Sequence, residues 1–275
     1  MTTIDPRNPD RLAIALESGD LQTRLDAIAE ARRDPHARLS ERAMAALIEA
    51  LGDSRKVVQR RAVDALAAAA AHDPRVIDAL HAALDSDQPT RRWCAAYALG
   101  LIGGALDLRA QKALLEALAN PDGDVRWAAA NLIVRLGGDN PDPIRHGLIA
   151  LEDHPDHNAR KMAIYCLRDL KLDDPEVRAT VERASRAAES GVRLAALSLL
   201  AHLPQADNDD DAVEIALRCL ESDPDLGVRR AAASALGRLG AGSARAAQAL
   251  ERAASQKADP GLAKAARQAL AGIAK

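Results

Sequence analysis

Apolar residues recur along this chain with helical spacing, and the pattern restarts at a near-constant interval. Its sharpest copy is GVRRAAASALGRLG at 227–240, with Val228, Ala232, Ala233 and Leu236 on one face and arginines on the other. DVRWAAANLIVRLGG and RRWCAAYALGLIGG follow it closely. NARKMAIYCLRDLK, GVRLAALSLLAHLP, VVQRRAVDALAAAA, QTRLDAIAEARR and GLAKAARQALAGIA are more diverged copies. Aligned on the arginine, the anchors are Arg24, Gln59, Arg92, Arg126, Arg160, Arg193, Arg229 and Ala263, spaced by 35, 33, 34, 34, 33, 36 and 34 residues. One helical hairpin fits that interval.

Before each anchor helix runs a second amphipathic segment, at 39–52, 73–86, 105–120, 141–155, 173–190, 207–222 and 242–256, with a shorter one at 8–18. Asp-Pro or Asn-Pro steps at 34–35, 73–74, 120–121, 140–141, 174–175, 223–224 and 259–260 stand where helices should start or stop. The prediction is an all-α chain, a single domain over 1–275 built as a right-handed α-solenoid of about eight hairpins. Their bounds are roughly 8–34, 39–70, 73–104, 105–138, 141–171, 173–204, 207–240 and 242–275. Repeats of this kind bury their apolar faces only against neighbours.

Four residues before the anchor stands Asp20, Asp122, Asp156, Glu189, Asp225 or Asp259 in six repeats of eight. An acid there caps the second helix and can face the anchor arginine of an adjacent repeat, which predicts a ladder along the stack. Arg24, Arg92, Arg126, Arg160, Arg193 and Arg229 are accordingly read as structural.

Composition agrees with helix throughout, since Ala and Leu dominate and 28% of residues are charged. The net charge of −3 argues against a global affinity for polyanions and leaves any basic groove a local feature. Cys94, Cys166 and Cys219 have no zinc or disulfide spacing, and the N-terminal MTTIDPRNPD is neither basic nor apolar. A reduced, cytoplasmic protein that binds no membrane is expected.

The D-x-x-V-R-x-x-A-A-x-A-L-G-x-L-G pattern, as in DPDLGVRRAAASALGRLG at 223–240, resembles the HEAT-like repeats named after phycobilin lyases. The likeness covers about the full length, and repeats 1, 2 and 8 depart from it at Thr23, Gln59, Ala263 and Arg267. It implies architecture more than activity, because that family includes scaffolds, assembly factors, chromophore lyases and, more distantly, DNA glycosylases. Iron-dependent hydroxylases built from similar repeats carry His-Glu dipeptides, which this chain lacks.

The informative chemistry is aromatic. Phe is absent, and the four aromatics, Trp93, Tyr97, Trp127 and Tyr165, fall one and five positions after the anchors of repeats 3, 4 and 5. The +1 row reads Leu25, Arg60, Trp93, Trp127, Lys161, Leu194, Arg230 and Lys264, and the +5 row Ala29, Asp64, Tyr97, Asn131, Tyr165, Ser198, Ser234 and Gln268. These rows share a helix face that is expected to line the concave surface. An aromatic cup of Trp93, Tyr97, Trp127 and Tyr165, oriented by Arg60, Asp64, Asn131 and Lys161, is expected to bind a peptide, a protein partner or a small aromatic or cationic ligand. Two alternatives use the same residues. One is an enzyme with Asp64 as acid or base and Tyr97 and Tyr165 as proton donors. The other, implied by the likeness to HEAT-like DNA glycosylases, stacks a nucleotide between Trp93 and Trp127 beside Asp64, and net acidity disfavours it. No cofactor and no metal are expected, since HPDH at 154–157 reads as a solvated turn and DNDDD at 207–211 as an enlarged loop.

Overall fold

The computed structural model describes residues 10–34, 38–103, 106–138, 141–203, 210–240 and 243–273. Residues 207–209 of the expected enlarged loop, and 8–9 of the first helical run, lie outside them. Within these segments the chain is helical, without strands. The first helices of the hairpins are α1 (Arg11–Leu16), α3 (Glu41–Ala50), α5 (Arg75–Ala83), α7 (Leu108–Ala117), α9 (Asp142–Ala150), α11 (Pro175–Ala184), α13 (Asp210–Ser222) and α15 (Ala244–Ala254). The second helices are α2 (Leu21–Arg33), α4 (Lys56–Ala69), α6 (Pro89–Ile102), α8 (Gly123–Gly137), α10 (His157–Asp169), α12 (Ser190–Leu200), α14 (Leu226–Leu239) and α16 (Pro260–Ile273). None of these is long and apolar enough to cross a membrane.

The chain divides into two compact units, Met1–Ala117 and Leu118–Lys275. In the first, second helices stack in order α2, α4, α6, and first helices in order α1, α3, α5. In the second, α8, α10, α12, α14 and α16 form the second-helix layer, while α9 packs on α11 and α13 on α15. Small alanines let these helices approach. Ala62, Ala95, Ala96, Ala129, Ala159, Ala195, Ala196, Ala232 and Ala266 are fully buried, with Leu66, Leu167, Leu197 and Leu236 filling the space between layers.

The anchor is the fourth residue of the second helix in every repeat. Four residues earlier lies the N-cap, and Asp20, Asp122, Asp156, Asp225 and Asp259 each accept from a backbone N–H of the first turn. The anchor arginines reach back over that turn. Nη1 of Arg92 donates to the carbonyls of Ser86 and Asp87, that of Arg126 to Asn120 and Pro121, and that of Arg193 to Ala187 and Ala188. Gln59 replaces the guanidinium with its own Nε2 donor to Asp53 O.

The expected ladder is corrected in register. Arg160 meets the acid four before the next anchor, Glu189, at 2.6 Å. Arg24 binds Asp53 at 2.5 Å and Arg193 binds Asp223 at 2.7 Å, both six before the next anchor, and Arg92 binds Glu116 at 3.0 Å. Glu189 makes no side-chain cap and takes Arg160, while Asp53 and Asp223 each accept a backbone N–H and still bind an arginine, so the position of the acid and not the cap selects the partner.

Candidate functional site

In the first unit Trp93 and Tyr97 stand one turn apart on α6, ring centroids 4.9 Å apart and planes tilted by 39°. Trp93 is only 8% exposed. The expectation of a surface indole is therefore corrected at this position, where Trp93 packs as a core side chain and Tyr97 covers it from a half-buried position. Arg60 and Asp64 are exposed on α4. Asp64 lies 3.7 Å from Arg32, which reaches it from the preceding second helix.

In the second unit Trp127, on α8, is 51% exposed. Its ring lies nearly parallel to that of Tyr165 on α10, with planes 12° apart and centroids separated by 6.1 Å. The guanidinium of Arg168 sits 5.0 Å from the Tyr165 centroid. Arg168 is itself fixed, donating to Asp169 Oδ1 at 2.7 Å and to Ser198 Oγ at 2.8 Å. Its pKa is raised chiefly by the Asp169 hydrogen bond. Asn131 is exposed one turn beyond Trp127, and Lys161 is half-buried one turn before Tyr165, its Nζ donating to Asn158 Oδ1 at 3.3 Å. The result is an indole platform held flat by a tyrosine, with an arginine braced against that tyrosine.

Arg168, which the sequence did not single out, and Ser198, named there only as a member of the +5 row, complete this arrangement. Arg168 follows Tyr165 by three positions, a spacing that brings side chains together on a helix. Ser198 occupies the +5 position of the next repeat.

The remaining candidates have structural partners. His154 Nδ1 accepts from the Asp156 N–H at 3.0 Å within its turn. Among the described residues no cluster of three His, Cys, Asp or Glu side chains could hold a metal ion. Burial pushes the Cys94 and Cys166 thiols up to about 12 and raises that of Cys219, so all three are held protonated in the interior.

The chain matches the family described as HEAT repeats over residues 44–134 and 177–271, more than half of its length. No curated protein matches it. Among solved structures it is similar to Kap95p bound to RanGDP, 13% identical with a TM-score of 0.63, over 95% of this chain and 41% of that chain. It is also similar to the karyopherin Kap121p bound to the extreme C-terminus of the phosphatase Cdc14p, at 17% identity and a TM-score of 0.61, over 96% of this chain and 33% of that one. Kap121p bound to Ste12p matches at 18% identity and a TM-score of 0.60, over 97% and 33%. At such identities the likeness is one of fold, and this chain spans less than half the length of those karyopherins. Two stacks of paired helices, a repeating arginine anchor and a family match over most of the repeats place this protein in the HEAT-repeat family.

Proposed function

We propose that this chain is a recognition module and that the second-helix face of its second unit receives a segment of a protein partner. One observation carries the reading: Trp127 is half exposed yet held nearly parallel to Tyr165. Leaving an indole in water forgoes its large burial energy, and stacking it in place prepares a flat apolar anchor point at low entropic cost. Asn131 and Lys161 flank it with an amide and an ammonium that can orient a bound chain. The solved karyopherins of similar fold support a protein-binding role, Kap121p having been captured both with the extreme C-terminus of Cdc14p and with Ste12p. The resemblance of 223–240 to phycobilin-lyase-type repeats is compatible with such a role, since assembly factors occur in that family.

A random peptide library displayed on phage tests the proposal when selected against the whole chain. Enriched peptides should lose at least tenfold in affinity for Trp127→Ala while that variant unfolds at the wild-type urea concentration. Peptides that bind the variant as tightly as the wild type would remove Trp127 from the site and the reading with it.

A further inference from the structure

The two rows that carry Trp127 and Tyr165 continue through the second unit with a one-sided charge. Over α8, α10, α12, α14 and α16 the +1 and +5 positions hold three cations, Lys161, Arg230 and Lys264, and no carboxylate. The same rows in the first unit hold one charge of each sign, Arg60 and Asp64. On a chain of net charge −3 the cationic face is thus a local feature.

The acids nearest this face are already committed. Asp156 and Asp225 cap their helices, Glu189 is bound by Arg160, and Asp259 both caps α16 and lies 3.6 Å from Arg230. Lys161 and Lys264 pair with no carboxylate among the described residues, and Lys161 Nζ donates to the neutral Asn158. Two of the cations also lie across the start of the following helix. A Cβ added to Gly191 would stand 3.7 Å from Lys161 Cδ, and one added to Gly261 would stand 3.3 Å from Arg230 Cζ. Asp259 already caps the start of α16, so a partner's carboxylate meets the cation there and not a free helix end.

From this charge complementarity, and resting on the reading of Trp127 as an anchor, we infer that the partner is an acidic, extended polypeptide segment with one aromatic residue. Neighbouring second helices lie about 8–10 Å apart, and an extended chain advances about 3.3 Å per residue, so one repeat spans roughly three residues of the partner. Asn131, Ser198, Ser234 and Gln268 occupy the +5 row with side chains that both donate and accept, which suits peptide backbone better than phosphate. The aromatic residue stacks on Trp127, and acids placed at multiples of three residues from it meet Lys161, Arg230 and Lys264.

Fluorescence anisotropy with the full chain tests this. The probe is a fluorescein-labelled sixteen-residue peptide with one phenylalanine, glutamate at every third position, and serine or glycine elsewhere. Its glutamine and lysine counterparts and an oligothymidylate of equal length serve as competitors. Saturable binding of the glutamate peptide is expected, at least tenfold tighter than the glutamine form and weakened by added salt. Lys161→Glu with Lys264→Glu should reverse the preference toward the lysine peptide, and Lys161→Gln with Lys264→Gln covers the case in which reversal unfolds the protein. Equal affinity for glutamate and glutamine peptides, both lost in Trp127→Ala, would overturn the charge inference and leave the recognition reading standing. Binding of either that is indifferent to Trp127→Ala would sink both. Absence of glutamate-peptide binding, preference for the lysine peptide, or tighter binding of oligothymidylate would each overturn the acidic partner.

Discussion

Arg193 holds Asp223 with two parallel hydrogen bonds, Nε to Oδ2 at 2.7 Å and Nη2 to Oδ1 at 2.8 Å, and both side chains are at least nine-tenths buried. Its remaining Nη1 donates to the carbonyls of Ala187 and Ala188, so one side chain ties its own turn to the next hairpin. Asp223→Ala would strand the guanidinium, and removal of one partner of a buried pair costs about 3–5 kcal/mol. Urea unfolding should show that loss. Arg186→Ala, which removes an exposed pair with Glu182 one turn away, should leave the midpoint unchanged.

The same class of contact makes stability depend on pH at the acid end. Asp53 is held well below the usual carboxylate range, at about 2, mainly by its hydrogen bonds from Arg55, with Arg24 adding its charge and a further bond against the opposing effect of burial. For Asp223 burial alone would raise the pKa, but the Arg193 hydrogen bonds and charge and the Asp225 N–H outweigh it and the net direction is down. A carboxylate with a depressed folded-state pKa contributes stability that is present above its unfolded value, about 4, and is lost as pH falls through the folded value. The urea midpoint should therefore drop steeply between about pH 4 and pH 2. Asp53→Asn should begin lower and show a shallower decline; an unchanged slope would exclude Asp53 as a contributor.

The repeat frame was legible because helix period, caps and turns are local properties. Placing the anchor at the fourth helical residue follows from an acid four positions earlier acting as N-cap, and the sequence repeats that spacing. What the chain does not write locally is which acid an arginine reaches. Glu189 and Asp225 occupy equivalent positions, yet one takes Arg160 and the other is spent on Val228 N–H. Exposure was illegible for a related reason. Trp93 and Trp127 share the +1 register but are 8% and 51% exposed, because the cover over a helix face comes from neighbouring side chains and not from the period of its own helix.

That difference separates the two indoles experimentally. Trp93→Ala should destabilise by about 3–5 kcal/mol, as for other buried aromatic truncations. Trp127→Ala removes a ring half in water and stacked on one face only, so about 1 kcal/mol or less is expected. Iodide should quench Trp127 and spare Trp93, leaving residual emission in the wild type and little quenching in Trp127→Ala. Similar losses for both variants would mean that Trp127 is packing, and the anchor assigned to it would go.

Two glycines of the second unit should answer the same substitution with opposite signs. Alanine in place of glycine inside a helix normally adds up to about 1 kcal/mol of stability. At Gly191, in the first turn of α12, the nearest atom to an added Cβ is Lys161 Cδ at 3.7 Å, an ordinary contact, so Gly191→Ala should raise the urea midpoint modestly. At Gly237 an added Cβ would meet Ala269 Cα at 2.7 Å and its Cβ at 2.8 Å, where α14 lies against α16. Backbone cannot rotate away as a side chain can, so the two helices must separate, and overpacking of this kind costs about 1–3 kcal/mol. Gly237→Ala should lower the midpoint despite the better helix propensity, which gives the first glycine of the ALGRLG segment a reason in packing. A midpoint raised equally by both substitutions would show that α14 and α16 do not approach this closely.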